Sequence, residues 1–178
     1  MQSNLGFTYI ESIITLTVMA ILTALLAPSF TRLIQNHKVE STTLALLEAV
    51  QTTRSYAVKS NRRATLASNP SWEDGWVIFY DDDHDGEIDA DETLLVDRPA
   101  VAEDVAIHGN RFVDDYISYL GSGASRWASG RKGGSFQAGT ITVCPENEGE
   151  GYELVLSRGG RLRKHSITET ECSEAPGA

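Results

Sequence analysis

The sequence predicts an α+β fold in which a long N-terminal helix, transmembrane in its first half, packs on a small antiparallel β-rich head. The first observation behind this prediction is an apolar stretch at residues 7–30, followed by helical spacing of apolar residues to about residue 60. The second is a change after Asn69 and Pro70 to short alternating segments separated by Gly and Asp. A chain of 178 residues suits one such head with an N-terminal appendage.

The apolar stretch at residues 7–30 is predicted to cross a membrane. Besides the Tyr9 phenol, its one ionisable side chain is that of Glu11. A helix of this length spans about 36 Å, which exceeds the roughly 30 Å hydrocarbon core of a bilayer. A cleaved secretory signal would begin with basic residues, and residues 1–6 contain no Lys or Arg. A generic signal anchor with an isolated glutamate is the alternative interpretation.

Glu11 is a candidate functional residue because a carboxylate inside an apolar span is costly unless it is paired or protonated. The neighbouring sequence supplies no cation to pair with it. A free N-terminal amine would serve if the chain were cut between Gly6 and Phe7.

Residues 31–62 are predicted to continue the same helix beyond the membrane. No Gly or Pro interrupts the chain from Ser29 to Ser60. Apolar residues recur at three- and four-residue spacing, as in an amphipathic helix, at Leu33, Leu44, Leu47, Val50 and Val58. This stripe is expected to pack on the head.

Residues 63–178 are predicted to form the β-rich head. Seven segments have the composition and alternation of strands: 75–80, 93–97, 104–109, 115–121, 139–144, 152–157 and 160–166. The Gly- and Ser-rich segment 123–139 is predicted to be a loop rather than a regular element.

The two cysteines, Cys144 and Cys172, both follow the apolar stretch. If that stretch is a membrane anchor, both face the same compartment, and an oxidising periplasm would let them pair. Two buried free thiols are the alternative.

The N-terminus resembles that of type IV pilins and pseudopilins. Gly6, Phe7, Thr8 and Glu11 match the signal of that class, and Pro28 falls where many pilins carry a helix-bending proline. The resemblance implies that residues 1–6 are a leader, that prepilin peptidase cuts after Gly6, and that the Phe7 amine is methylated. It also implies that Glu11 neutralises the N-terminus of an adjacent subunit during assembly.

The head resembles the GspH/FimT/FimU subfamily of pilins. The first shared feature is a Gly-Trp-aliphatic-Phe strand before an Asp-rich turn, at residues 75–81. The second is a late Phe before a strand ending in Cys, at 136–144, and the third is a Ser-x-x-Gly-Arg-x-Arg hairpin, at 157–163. The resemblance implies a minor subunit near the tip of a pilus or pseudopilus, anchored in the inner membrane with a periplasmic head. Its partners would be other pilins and minor pilins.

The resemblance leaves three functional hypotheses: an assembly subunit of a pilus, a DNA-binding minor pilin for natural transformation, and a minor pseudopilin of type II secretion. The sequence carries no P-loop, GxSxG motif, zinc-ligand cluster or plausible Cys–His pair. An anchored periplasmic enzyme is therefore disfavoured, and no cofactor is required.

Charge is distributed unevenly, and the most acidic segment has a metal-binding pattern. Residues 73–115 hold fifteen acids against Arg98 and Arg111, within a chain of net charge −10. The residues at positions 1, 3, 5, 7, 9 and 12 of a twelve-residue calcium loop are here Asp81, Asp83, Asp85, Glu87, Asp89 and Glu92, with Gly86 at the sharp turn. Because strands rather than helices are predicted on each side, the alternatives are a calcium-binding hairpin loop and a solvated acidic turn.

The hairpin near the C-terminus concentrates basic residues, namely Arg158, Arg161, Arg163 and Lys164. In a strand Arg161 and Arg163 point the same way, so two guanidinium groups share one face. That arrangement suits contacts with the phosphates of double-stranded DNA, with Arg126, Arg131 and Lys132 as helpers. In the FimT branch a Gly-Arg-x-Arg motif at this place is associated with DNA capture. A solvated face, or one that pairs with a neighbouring subunit, is the alternative.

Overall fold

The computed structural model describes residues 8–101, 103–129, 134–147 and 149–175, without the side chains of 25–29. Two compact units are present, one ending at Gln35 and one beginning at Asn36. The predicted processing residues Gly6 and Phe7 lie outside the described residues, as do Arg131 and Lys132. The elements in chain order are α1 (Tyr9–Ser60), β1 (Ala64–Ser68), β2 (Gly75–Tyr80), β3 (Thr93–Pro99), β4 (Val105–Gly109), β5 (Tyr116–Tyr119), β6 (Gly139–Pro145), β7 (Gly151–Leu156), β8 (Leu162–Ile167) and α2 (Glu169–Ser173).

The first unit is the start of helix α1. The Thr8 hydroxyl accepts a hydrogen bond from the backbone N–H of Glu11 at 3.3 Å, which caps the first turn. The hydroxyls of Thr15, Thr17 and Thr23 donate to carbonyl oxygens three or four residues earlier. Across the described side chains, no helix of this chain meets the length and apolarity needed to cross a membrane.

In the second unit, the rest of α1 packs on two antiparallel sheets that share one core with it. The strand orders are β3-β2-β1-β5 and β4-β6-β7-β8. The helix contributes Val39, Leu46, Val50 and Ala57 to this core, all of them at most 1% exposed. The predicted α+β class, with an N-terminal helix and antiparallel strands, is confirmed.

The first sheet has two different faces because side chains alternate along a strand. Leu66, Ile78 and Ile117 belong to the shared core with the helix. Their neighbours on the strands form a second small cluster with Ala67, Val77, Phe79 and Tyr116. This outer face also carries polar residues, which are described below.

All seven predicted strands are present, and the structure adds two elements. Strand β1 follows the helix directly and pairs with β2 and β5 at the centre of its sheet. Helix α2 begins after Thr168, whose side chain forms a reciprocal capping box with Glu171. In the described part of the predicted loop at 123–139, two isolated bridges are present, Tyr119 to Ser125 and Arg126 to Phe136, and the last residue of the segment begins β6.

Candidate functional site

The basic hairpin joins β7 to β8, as predicted. The Ser157 hydroxyl accepts from the backbone N–H of Arg161 at 3.1 Å, and the backbone N–H of Gly160 donates to the Ser157 carbonyl at 2.8 Å. Gly160 has φ +76°, a backbone conformation that favours glycine. The Ser-x-x-Gly-Arg sequence is thus accounted for by the hydrogen bonds and backbone conformation of a tight turn, without any contact with DNA.

The four predicted DNA-binding residues divide between two environments. Arg158, Arg161 and Arg163 are exposed, and none of them forms an ion pair with a described residue. Lys164 instead lies 4.3 Å from the centre of the Tyr152 ring, and its Nζ is 3.9 Å from Oε1 of Glu40 on α1. All four residues are exposed, and the three arginines are the ones without an ion-pair partner among the described residues.

Arg126, the described helper, is half-buried and its guanidinium group is held by contacts within its own segment. Its guanidinium lies 3.8 Å from the centre of the Phe136 ring, and its Nη1 donates to the Gly134 carbonyl at 3.2 Å. These contacts indicate a structural role in the 123–139 segment.

The acidic loop connects β2 to β3, so strands flank it as predicted. Carboxylate oxygens of Asp81, Asp83 and Asp85 lie within 4.8 Å of one another. Glu92, predicted at the closing position, accepts instead from the backbone N–H of Asp82 at 2.8 Å and of Asp89 at 3.3 Å. In the described residues, the acidic group at metal-binding distance holds three of the six predicted ligands and lacks Glu87, Asp89 and Glu92.

Asp81 differs from the other acids of the loop because it is fully buried, on the outer face of the first sheet. Its Oδ2 accepts a 2.8 Å hydrogen bond from the Thr65 hydroxyl, whereas its Oδ1 is buried without a hydrogen-bond partner among the described residues. Burial raises the pKa of the Asp81 carboxyl above its ordinary value, although the Thr65 hydrogen bond and the nearby Arg63 charge oppose that shift.

Arg63 is the buried cation beside Asp81. Its Nη1 donates to the Ser118 hydroxyl at 2.7 Å and its Nε to Nδ1 of His84 at 3.2 Å. Its Nη2 is buried without an acceptor among the described residues. The two side chains therefore influence each other electrostatically without a direct hydrogen bond between Nη2 and Oδ1.

Glu11 lies in the first turn of α1 with an exposed side chain and no ion pair to a described residue. Its carboxylate is thus available to a group from outside the described chain.

Comparison with known proteins identifies the family of this chain. The family described as Type II transport protein GspH matches residues 42–160, about two thirds of the 178 residues. The chain belongs to the GspH family. The resemblance to the GspH/FimT/FimU group is thereby confirmed, and the family and fold are those of pilin-like structural subunits.

Solved structures agree on the fold. This GspH-family chain is similar to the type IV minor pilin FimU of Pseudomonas aeruginosa in two crystal forms, with 17% identity to each. The P21 form has a TM-score of 0.56 over 80% of this chain and 96% of FimU; the P65 form has 0.53 over 78% and 98%. No curated protein matches the chain by sequence.

The cysteine pairing of this GspH-family chain is also resolved. Cys144 at the end of β6 and Cys172 in α2 form a disulfide, with Cα atoms 5.9 Å apart. The alternative of two free thiols is thus excluded. Gly151 lies against this bond, since a Cβ there would come within 2.5 Å of the Cys172 Sγ.

The sequence did not indicate two residues whose side chains fix the backbone near the candidate sites. Arg54 of α1 donates to the carbonyl oxygens of Gly123 at 2.9 Å and Gly159 at 3.5 Å, which fastens the basic hairpin to the helix. Gln137 is fully buried and bonds the backbone of Phe112, Tyr116 and Ser118. Neither residue stands in a motif, so only the three-dimensional contacts reveal them.

Proposed function

We propose that this chain is a minor pilin that takes part in the assembly of a type IV pilus, near its tip. The observation that carries the proposal is the match to the GspH family over residues 42–160, together with a helix that packs on two antiparallel sheets. A structural rather than catalytic role follows from this family and fold. Its partners are other pilins and minor pilins.

The proposal includes processing and membrane anchoring of the N-terminus. Residues 1–6 form the leader, prepilin peptidase cuts between Gly6 and Phe7, and the new amine is methylated. Residues 7–30 anchor the chain in the inner membrane, residues 31–62 continue the helix into the periplasm, and residues 63–178 form the head. Support comes from the sequence of residues 7–30, in which Glu11 is the single carboxylate.

Glu11 acts in assembly by pairing with the N-terminal amine of an adjacent subunit. An exposed carboxylate with no ion pair to a described residue fits this role. In an apolar environment such a pair offsets the cost of burying each charge separately.

The experiment expresses Glu11→Ala in pilus-bearing cells and compares membrane and sheared-fibre fractions. The variant should remain in the membrane fraction after alkaline extraction and fall at least tenfold in the fibre fraction. Glu48→Ala is the matched control, because Glu48 is an exposed glutamate on the same helix. Normal incorporation of the Glu11 variant would refute the assembly role.

Mass spectrometry of the mature wild-type chain tests the processing step separately. The expected N-terminus is a methylated Phe7. A chain that retains residues 1–6 in the fibre would overturn this part of the proposal. Recovery of the subunit in secretion pseudopili instead of pili would assign it to type II secretion.

The three exposed arginines favour a second candidate function, the capture of double-stranded DNA. Arg163 lies in β8, Arg161 directly precedes the first residue of that strand, and Arg158 lies in the adjoining turn, so the three are close in sequence at one end of the hairpin. Without carboxylate partners among the described residues, these guanidinium groups are available to phosphates.

Fluorescence anisotropy with a labelled duplex tests this second function on the full chain in detergent. Affinity should fall steeply between 50 and 200 mM salt, because each phosphate contact releases counterions. Arg161→Ala/Arg163→Ala should abolish binding, whereas Arg98→Ala/Arg111→Ala, with the same charge change elsewhere, should retain most of it. Equal losses in both variants would indicate nonspecific charge, and no binding at 50 mM salt would exclude the DNA role.

A further inference from the structure

The acidic loop at residues 81–92 combines a cluster of carboxylates with an unsatisfied buried oxygen. Eight of its twelve residues are Asp or Glu, and its one basic side chain is His84. Of these acids, Asp82 forms an ion pair with Arg62. Asp83 and Asp85 each accept one backbone N–H of the loop through Oδ1, from Asp85 at 3.2 Å and from Glu87 at 2.8 Å. These bonds leave the negative charges of the loop in place, and a bound cation would reduce the repulsion between them.

The spacing of three carboxylates fits a single ion. Oxygens of Asp81, Asp83 and Asp85 lie within 4.8 Å of one another. Calcium binds oxygen at 2.3–2.6 Å, so two oxygens on one ion can be up to about 5.2 Å apart. Three oxygens this close together can reach one ion with a side-chain adjustment of a few tenths of an ångström at most.

The buried carboxylate of Asp81 gives an independent indication of a ligand. Its Oδ1 accepts no hydrogen bond from a described residue, although Thr65 satisfies Oδ2. Arg63 does not satisfy it either, because its Nη2 is also unpartnered and its Nε and Nη1 are directed to His84 and Ser118. A buried carboxylate oxygen without a donor is costly, and a metal ion removes that cost.

We propose that this loop binds one calcium ion through Asp81, Asp83 and Asp85. Asp81 supplies the buried ligand from the end of β2, and the exposed Asp83 and Asp85 leave room for water to complete the coordination. Zinc is disfavoured because no cysteine is present in the loop and Nδ1 of His84 accepts from Arg63.

Glu92 has a supporting role in this site. Its two carboxylate oxygens bind the backbone N–H groups of Asp82 and Asp89, which closes the loop around the three aspartates. Gly86 has φ +87° and packs against the Tyr116 ring and Ala128, so the loop is also fixed to the outer face of the sheet. The ligands are thus held before the ion arrives, which lowers the entropy lost on binding.

Calorimetric titration of the full chain in detergent with calcium chloride tests the proposal. One ion should bind with a dissociation constant of about 0.1–1 mM, the range of extracellular calcium modules. Asp83→Asn/Asp85→Asn should weaken binding at least tenfold, while Asp91→Asn should change it less than twofold. Asp91 is an exposed acid of the same loop outside the proposed ligand set, so its variant controls for the loss of one negative charge from the loop.

Thermal unfolding in EDTA and in 10 mM calcium separates binding from folding. The wild type should gain several degrees of melting temperature with calcium, and the double variant should gain almost none. In EDTA the double variant should melt at or above the wild-type temperature, because two repelling charges are gone. The proposal is overturned by no saturable binding up to 10 mM, by unchanged binding in the double variant, or by equally tight binding of magnesium.

Discussion

The phenol of Tyr119 donates a 3.1 Å hydrogen bond to the carbonyl oxygen of Gly160, and this bond joins the two sheets. Tyr119 ends β5 of the first sheet, and Gly160 lies in the turn between β7 and β8 of the second. Both partners are buried. The position of the basic hairpin is thus fixed from the core, so changes in the core at this point should alter the surface that carries Arg161 and Arg163.

The neighbouring glycines of the hairpin should respond differently to alanine. Gly160 has φ +76°, and a Cβ there would lie 2.5 Å from the Gly123 carbonyl oxygen and 2.7 Å from a Tyr119 ring carbon. Gly160→Ala should therefore lower the free energy of unfolding by about 1–3 kcal/mol. A Cβ at Gly159 meets nothing within 4 Å, so Gly159→Ala should be neutral or stabilise by up to about 1 kcal/mol.

Urea unfolding followed by circular dichroism measures this difference. The two variants carry the same chemical change at adjacent positions, so each is the control for the other. Equal stability of both variants would show that the turn conformation at Gly160 is not required.

The disulfide between Cys144 and Cys172 should stabilise the head substantially. It links two residues that are 28 positions apart in the sequence and fastens α2 to the end of β6. In the chain-entropy model this closure contributes about 3–4 kcal/mol to the free energy of unfolding. The Cys144→Ala/Cys172→Ala variant should lose about that amount in urea unfolding.

Reduction of the wild type provides the matched comparison for the disulfide. The reduced protein and the double variant should unfold at similar urea concentrations, both below the oxidised wild type. A double variant as stable as the oxidised protein would contradict the prediction.

The regular elements of this fold could be predicted from the sequence because their signals are local. The strand at 75–80 and the hairpin before Arg161 follow from alternation and turn residues within a few positions. Strand β1 was missed because ATLAS follows a long helix with no Gly or Pro between them, so no breaker marks its start. Its strand conformation depends on pairing with β2 and β5, which are distant in sequence.

The candidate sites could be predicted only in part, for a related reason. The spacing in the acidic loop indicated six ligands. Spacing alone does not show that the Glu92 carboxylate accepts hydrogen bonds from the backbone N–H groups of Asp82 and Asp89. The basic motif likewise does not show that Lys164 lies beside Tyr152 and Glu40. Such contacts join residues far apart in the chain, so they depend on the folded structure.

Alanine substitutions at two leucines of α1 should distinguish the face of the helix that packs on the sheets from its exposed face. Leu46 is fully buried in the shared core, whereas Leu44 is 46% exposed. Leu46→Ala should cost about 2–5 kcal/mol of unfolding free energy, since it leaves a cavity between the helix and the sheets. Leu44→Ala should cost less than about 1 kcal/mol.

Chemical unfolding of the full chain in detergent, with the tertiary signal of the head as the probe, tests the leucine pair. A larger loss for Leu44→Ala than for Leu46→Ala would mean that the helix packs on the head through another face.

The buried Tyr119 should make the head sensitive to alkaline pH. Burial raises the pKa of its phenol above the ordinary value near 10, because the phenolate would be formed without water around it. The folded state therefore retains a proton that the unfolded state releases. The contribution of this phenol to the free energy of unfolding is fully present below about pH 10. It is lost as the pH rises from there toward the folded-state pKa.

Tyr119→Phe removes both the titration and the hydrogen bond to Gly160. At pH 7 the variant should be less stable by about 1 kcal/mol, because the Gly160 carbonyl loses its donor. Between pH 9.5 and 11.5 the wild type should lose more stability than the variant, so the two curves should converge. Thermal unfolding at intervals across that range measures the slopes, with Tyr80→Phe as the control for a half-buried tyrosine. Parallel curves for the wild type and Tyr119→Phe would show that the phenol titrates no differently in the folded and unfolded states.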